Sequence, residues 1–415
     1  MNNTSTKEQK HFWTFGGGFF FYFFVWAIVL TFLPIWLEEQ AGLNTSESGF
    51  VFSAMAFVAL IYQPFFGVLS DKLVFKKNLF GTIVVAAMLM GPFFQWVFIP
   101  LLDINVIFGA IVASFYLSFV FYAGVGVIES YIERASRANG FEYGRARLFG
   151  SIAGATASLV GGIIFVMNPY SIFWLGSASA IILYILMFTF KINTNHLERV
   201  VGENSVPLTK ETIFNIFKIK NFWMLALFII GSACMYDVFD QQFPNYYKTF
   251  FDSASAGTTM FSRLVSLQTG LEAIVMIFMP ALINKIGAKK GLLLFGLLTF
   301  IRIFGSAIAP NALILSLVRL IAAFEMPLLL ISIMKYITGS FDMRLSATIY
   351  LLAFNFAKQL SIMIFSTVAG TMYTSMGYKN SYFIISAIVL IITIFSIFSL
   401  KNDRITVERE AASYK

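Results

Sequence analysis

The sequence predicts an all-α polytopic membrane protein, with twelve transmembrane helices arranged as two six-helix halves. Three observations carry that expectation. Of 415 residues, 58% are hydrophobic and 12% charged, with a mean hydropathy of +0.80, against about 25% charged in soluble domains. Twelve apolar runs approach the roughly 20 residues needed to cross a bilayer. Lysine and arginine fall almost entirely in alternate loops, which puts those loops on the cytoplasmic side.

In chain order the runs lie near 12–36, 48–70, 79–100, 105–132, 146–167 and 170–190, then 221–247, 257–283, 291–309, 311–336, 345–372 and 380–400. The only long polar stretch, 191–220, separates the sixth from the seventh. The expected organisation is therefore an N-terminal six-helix bundle at 1–190, a cytoplasmic linker at 191–220, a C-terminal six-helix bundle at 221–400 and a cytoplasmic tail at 401–415. Lys72, Lys76, Lys77, Arg134, Arg137, Arg145, Lys285, Lys289, Lys290, Lys335 and Arg344 share one side with the linker and both termini. The opposite loops carry only Lys248 and Lys379, with Arg263 early in the eighth run. Both termini are expected to be cytoplasmic. No removable signal peptide is read, because Lys7 and Lys10 are not followed by a small-residue cleavage site.

The halves look duplicated. Asp71-Lys-Leu-Val-Phe-Lys-Lys after the second run matches Asn284-Lys-Ile-Gly-Ala-Lys-Lys after the eighth, at an offset of 213 residues. Parallel six-helix repeats are the layout of major facilitator transporters. The loop GVLSDKL, Gly67 to Leu73, resembles that superfamily's motif between helices 2 and 3, with Val74 where glycine is common. A solvated turn with snorkelling lysines would account for the basic residues, but not for their recurrence in each half.

Several classes are excluded. The net charge of +8 comes without a basic stripe interleaved with aromatics, so no nucleic-acid partner is expected. Cys234 is the single cysteine, and His11 and His196 lie in polar segments without metal-ligand neighbours, which argues against a metal site or a disulfide framework. No nucleophile–base arrangement suggests an enzyme, and no G-x-x-x-x-G-K-[ST] suggests ATP-driven transport.

Charges inside apolar runs are costly and usually have a partner and a task. Five acids (Glu129, Asp237, Asp240, Glu272, Glu325) face four bases (Arg147, Arg302, Arg319, Lys358), so full pairing leaves one carboxylate over. Burial disfavours its charged form, which suits a group that takes up a proton on one side and releases it on the other. Glu325 is the expected carrier: it sits mid-run, two residues before Pro327, with no obvious base on its own face. Asp237 and Asp240, three apart on one helical face, have structural pairing as their plainer reading, as do Arg319 and Lys358. Glu129 and Arg147 fall near the cytoplasmic ends of the fourth and fifth runs. Snorkelling would explain them, and so would a polyhydroxyl ligand whose adjacent hydroxyls each group can bridge.

Most of the 49 phenylalanines are read as lipid-facing or packing residues; the run from Phe19 to Phe24 covers every helical face and is assigned no site. Trp13, Trp26, Trp36 and Trp223 are expected as interfacial anchors near helix ends.

CMYDVFDQQF (Cys234 to Phe243), RARLFGS (Arg145 to Ser151), SDKL, FEMP around Glu325, KYITGSFD from Lys335, RLSATIYL from Arg344 and AKQL around Lys358 together resemble the lactose permease family, the oligosaccharide:proton symporters of the major facilitator superfamily. The resemblance spans essentially the whole chain. It implies alternating access, a bacterial-type cytoplasmic (inner) membrane location, a disaccharide and a proton as partners besides membrane lipid, a monomer, and no cofactor beyond the proton as coupling ion. Glu129 and Arg147 would be the sugar-binding pair opening onto a central cavity, with Ser151, Asn245, Gln268 and Glu272 completing the substrate set. Asp237 with Lys358, and Asp240 with Arg319, would be charge pairs. Tyr236, Arg302 and Glu325 would couple the proton, with Arg302 helping Glu325 to deprotonate.

The chain departs from the family at four places. Ala322 stands where lactose permeases have a histidine one turn before the coupling glutamate, and Gly154 where they have a tryptophan stacked on the sugar. Gly150-x-x-x-Gly154 is read instead as a small-residue helix contact, with Tyr122 or Phe149 as a replacement aromatic. Thr269 occupies the lactose-type acid position, while Gln268 and Glu272 look more like the sucrose permease branch. Arg319 replaces the usual lysine, which keeps the charge and changes the geometry. The expected function is proton-coupled import of a lactose- or galactoside-type sugar. The alternatives are a sucrose- or raffinose-specific symporter, a non-transporting sugar sensor, and an uncoupled facilitator suggested by Ala322.

Overall fold

Inside a bilayer every backbone N–H and C=O must be satisfied within its own segment, which an apolar helix achieves. The structure, a computed structural model, describes residues 2–73, 77–190, 210–341 and 345–402. Linker residues 191–209, tail residues 403–415, His196, Lys76 and Arg344 lie outside the described residues, as do the side chains of His11, Asp71 and Lys72.

The described residues form helices joined by short turns. Helix α1 is Asn2–Glu39 and α2 is Thr45–Lys72. Asn44 starts α2 with a capping box: its Oδ1 accepts from the N–H groups of Ser46 and Glu47 at 2.9 and 3.0 Å, and its own N–H donates to Glu47 Oε2 at 2.9 Å. Helices α3 (Asn78–Met88) and α4 (Met90–Ile104) meet at a 51° bend. Then come α5 (Val106–Asn139), α6 (Tyr143–Met167) and α7 (Ser171–Met187). Gly140, with φ 75°, turns the chain out of α5 in the left-handed conformation that only glycine adopts without strain.

Beyond the linker lie α8 (Lys210–Phe217), α9 (Lys220–Lys248), α10 (Ala254–Ile286) and α11 (Ala288–Ile308). The last two are α12 (Ala312–Ser340) and α13 (Tyr350–Ser399). Helix α12 loosens at Leu320 and Ile321, and α13 is interrupted at Gly377, with φ 79° and ψ 167°.

Among the described residues nine helices are long and apolar enough to cross a membrane, or ten when the bent α3–α4 pair is one span. Helix α7 is apolar and 17 residues long, and the Gly377 break divides the 50 residues of α13. Packing resolves two compact units: Met1–Glu203 with Phe251–Gly270, and Asn204–Phe250 with Leu271–Lys415. Helix α10 contributes its first half to one and its second half to the other.

In the first unit α1 packs against α6 and α7. Trp36 is fully buried, edge-on to Phe94 at 5.0 Å and to Phe173 at 5.2 Å and stacked on Phe98 at 5.7 Å. This corrects its expected role as an interfacial anchor: a helix end covered by neighbouring helices buries its indole instead. In the Phe19–Phe24 run Phe19, Phe23 and Phe24 are buried as packing residues. The second unit is centred on Phe228, Ile229, Leu292, Phe295, Leu329 and Ile333 from α9, α11 and α12.

The repeated basic loops have a structural role. Lys77 Nζ donates to the carbonyls of Met187 and Phe190 at 2.8 and 2.6 Å, capping the end of α7. Lys289 Nζ donates to the Leu400 carbonyl at 2.7 Å, capping α13. Orphan C-terminal carbonyls and the negative end of the helix dipole both favour a cation there. In each half a loop lysine therefore closes the half's last helix, a recurrence that a merely solvated turn did not explain.

Candidate functional site

Four helices bring the C-terminal charges together. Asp237 and Asp240 lie on α9, Arg302 on α11, Arg319 and Glu325 on α12, and Lys358 on α13. Arg302 is fully buried; its Nη1 donates to Asp240 Oδ1 at 2.6 Å and its Nε lies 2.6 Å from Glu325 Oε2. The second contact is an ion pair that is not aligned as a hydrogen bond. Arg319 Nη1 donates to the same Asp240 oxygen. Lys358 Nζ lies 2.7 Å from Asp237 Oδ2.

The aromatic residues of α9 sit under these cations. The Arg302 guanidinium lies 4.5 Å from the Tyr236 ring centroid and 4.8 Å from that of Phe239, while Arg319 lies 4.8 Å from Phe243. Spacings of three and four residues put Tyr236, Phe239, Asp240 and Phe243 on one helical face, so acid and π-face reach the same guanidinium. Glu325 is fully buried, and it is not without a countercharge: the expectation of an unpaired carboxylate is corrected by Arg302 reaching it from another helix. Arg302 is shared between two acids. Inspecting Glu325's own helical face in the sequence could not reveal a base contributed by α11. Ala322, also fully buried, offers Glu325 no hydrogen-bonding side chain one turn away.

In the N-terminal unit Arg147 on α6 donates its Nε–H to Glu129 Oε1 of α5 at 2.9 Å, and both side chains are 35% exposed. The guanidinium rests 4.1 Å from the centroid of Phe23 and 5.7 Å from that of Phe19, both on α1. A Cβ at Gly150 would come within 2.6 Å of Arg147 Nη1 and 3.1 Å of Phe23 Cδ2. Gly150 thus gives room to the guanidinium as well as to the neighbouring helix, whereas a Cβ at Gly154 would lie 3.3 Å from Thr269 Cγ2. Phe23 is the site neighbour that sequence reasoning passed over, and Gly150 the one it read only as a helix contact. Arginine with glycine three residues on, opposite a phenylalanine-rich helix, was the available signal. A cleft of about 290 Å³ lined by Glu129, Ser130, Glu133, Arg134 and Tyr143 adjoins this pair.

The other expected substrate residues divide between the two units, Ser151 and Gln268 in the first and Asn245 and Glu272 in the second. Ser151 is half-buried one turn beyond Arg147, and Gln268 is buried on α10 with Oε1 lacking a hydrogen-bond partner among the described residues. Glu272 is half-buried on the half of α10 that belongs to the second unit. Asn245 is buried and donates Nδ2–H to Gln242 Oε1 at 3.1 Å within its own helix. Phe149 packs edge-on against Phe12 and Trp13 at 5.8 and 5.5 Å, so it is engaged with α1.

Wide π-helical turns precede three of the site segments. They run over Phe119–Ala123 before Glu129, Ile229–Ala233 before Asp237, and Tyr350–Phe356 before Lys358. Each extra residue shifts the angular register of the helix beyond it, and such turns cluster at functional sites. No group of three or more metal-ligating side chains occurs among the described residues.

A bilayer-length helical fold in which buried charges pair across helices is the equipment of a secondary transporter. The fold agrees with that class: the solved nucleoside transporter NupG superposes with a TM-score of 0.77 at 15% identity, covering 94% of this chain and 99% of the other. The chain belongs to the LacY proton/sugar symporter family, whose model matches residues 4–412. It is 43% identical over 406 residues to the raffinose permease of Escherichia coli, covering 97% and 96% of the two chains. To the melibiose permease of Enterobacter cloacae it is 44% identical over 407 residues, with the same coverage. The chain is thus a multi-pass bacterial inner-membrane permease, and a non-transporting sensor is not favoured.

Proposed function

We propose that this protein imports a galactoside-type disaccharide or small oligosaccharide together with a proton, by alternating access. Relatives named for raffinose and melibiose, each matching nearly the full chain, support that sugar class. The observation that carries the coupling is the position of Arg302, 2.6 Å from both Asp240 and Glu325. A proton on Glu325 Oε removes one of Arg302's two anions, and the guanidinium then falls to Asp240. When the proton leaves, Arg302 stabilises the carboxylate again. Arg302 is therefore the group that makes release favourable, and Glu325 the group that carries.

Glu129 and Arg147 bind the sugar in this reading. Their partly exposed carboxylate and guanidinium offer an acceptor and a forked donor to adjacent hydroxyls, with Phe23 as the platform beneath. Asp237–Lys358 and Asp240–Arg319 hold α9 against α13 and α12. Tyr236 belongs to the coupling group through its face on Arg302. We further read the chain as a monomer with twelve spans and both termini cytoplasmic, since the lysine-rich loops share one side.

The test is external pH in a lightly buffered, de-energised suspension of expressing cells, with raffinose, melibiose, lactose and sucrose added in turn. Alkalinisation by one of them establishes symport and names the sugar. Sugar entry without a pH change would make this a facilitator and withdraw the roles of Glu325 and Arg302. Glu325→Gln should abolish uphill accumulation while keeping exchange of sugar across the membrane.

A further inference from the structure

Beyond Arg302, α9, α11 and α13 enclose a cluster of tyrosines that the ion pairs leave unexplained. Tyr373 and Tyr382 are buried, 4% and 0% exposed, and neither hydroxyl has a hydrogen-bond partner among the described groups. An unsatisfied buried hydroxyl costs about 1–3 kcal/mol, and a phenylalanine would fill the same space without that cost.

The rings interlock. Tyr382 lies 5.1 Å from Tyr246 and 5.7 Å from Tyr373, and Tyr373 lies 5.1 Å from Tyr378, beside the Gly377 break. The inner end meets the charges: Tyr382 packs at 4.7 Å on Phe239, whose ring carries the Arg302 guanidinium. Tyr246 Oη donates to the Ser306 carbonyl at 3.0 Å, and Ser306 Oγ donates to the Arg302 carbonyl at 2.7 Å. The cluster thus runs from the helix break at Gly377 to within one helical turn of Arg302, all inside one packing unit.

We propose that Tyr373 and Tyr382, with Tyr246, form a hydrated phenolic relay that carries protons between the Gly377 end of the unit and the Asp240–Arg302–Glu325 cluster. Water satisfies the two buried hydroxyls. In each step a phenol oxygen accepts a proton from a protonated water through a lone pair and releases its own O–H proton to the next water. The phenol ends neutral, and the last water delivers the proton to the Glu325 carboxylate. The relay rests on the proton coupling proposed above, and it supplies transferable hydroxyls in a protein where Ala322 supplies none.

The test uses the full-length protein in cells, Tyr373→Phe/Tyr382→Phe against wild type, with raffinose and melibiose as probes. Sugar-induced alkalinisation should slow by about tenfold or more, while counterflow of the same sugar stays at the wild-type rate. Wild-type alkalinisation in the double variant overturns the relay. Equal loss of both rates overturns it too, since that marks a packing defect, and the thermal midpoint of the variant separates unfolding from slowed transfer. Wild-type protein that moves sugar without protons defeats the coupling reading, and the relay with it, before any variant is compared.

Discussion

Arg302 and Arg319 both contact Asp240, yet removing them should have unequal costs. Arg302→Leu breaks two contacts and leaves Glu325, fully buried, with no cation among those described within ion-pair distance. At an effective dielectric near 20 each contact is worth about 4 kcal/mol of gross attraction, and breaking a buried pair costs about 3–5 kcal/mol net. Arg319→Leu leaves Asp240 still held by Arg302, so the loss is that of one charged hydrogen bond, about 1.5–3 kcal/mol. The readout is built into the chain: Cys234 is the single cysteine and is fully buried, so a thiol-reactive fluorophore labels it when the protein unfolds. With a midpoint change of roughly 2–4 °C per kcal/mol, Arg302→Leu should lower the midpoint by roughly 6–20 °C in detergent. Arg319→Leu should lower it less, and Arg302→Leu/Glu325→Leu should recover most of the loss because no lone buried charge remains. Equal midpoints for the two single variants, or no recovery in the double, would refute the shared-arginine account.

Phe23→Ala removes the ring beneath Arg147, a cation–π contact of about 0.5–2 kcal/mol. The apparent KM for sugar should rise roughly 2- to 30-fold with little change in maximal rate, and an unchanged KM in transport assays would exclude Phe23 as the platform. Asn44→Ala takes away both cap acceptances at the start of α2 and should cost about 1 kcal/mol, readable by the same Cys234 labelling. Partial burial lowers the pKa of Lys77, so the unfolded chain binds more protons there and this residue's contribution to stability rises with pH from the lowered native value towards 10.5. Comparing midpoint against pH for wild type and Lys77→Met should show that alkaline gain only in wild type; identical slopes would contradict it.

Helix membership was legible wherever apolar length alone decides. The Gly377 break falls in the gap the sequence leaves between the runs near 345–372 and 380–400, whereas the 51° bend inside the third span was not legible, because a bend keeps the same composition. Trp36 shows the same limit: an indole near a helix end reads as interfacial until Phe94, Phe98 and Phe173 are seen to enclose it. At the site, residue types and helical faces were readable for Asp237, Asp240 and Tyr236. The pairing of Glu325 was not, because its base comes from α11, and neither was Phe23, lost among phenylalanines that all look alike in composition.

By itself the sequence determined the solvent, the number of apolar runs, the alternation of basic and non-basic loops and the set of charges that must be reconciled inside the bilayer. These properties come from transfer free energy and loop charge, which are sums over residues and need no coordinates. Tertiary structure decided who pairs with whom. Asp240 takes two arginines and Arg302 takes two acids because three helices, α9 with its register reset by a π-turn, α11 and α12, bring their faces to one point. Distance and alignment between helices set those energies, and no periodicity along one helix encodes them.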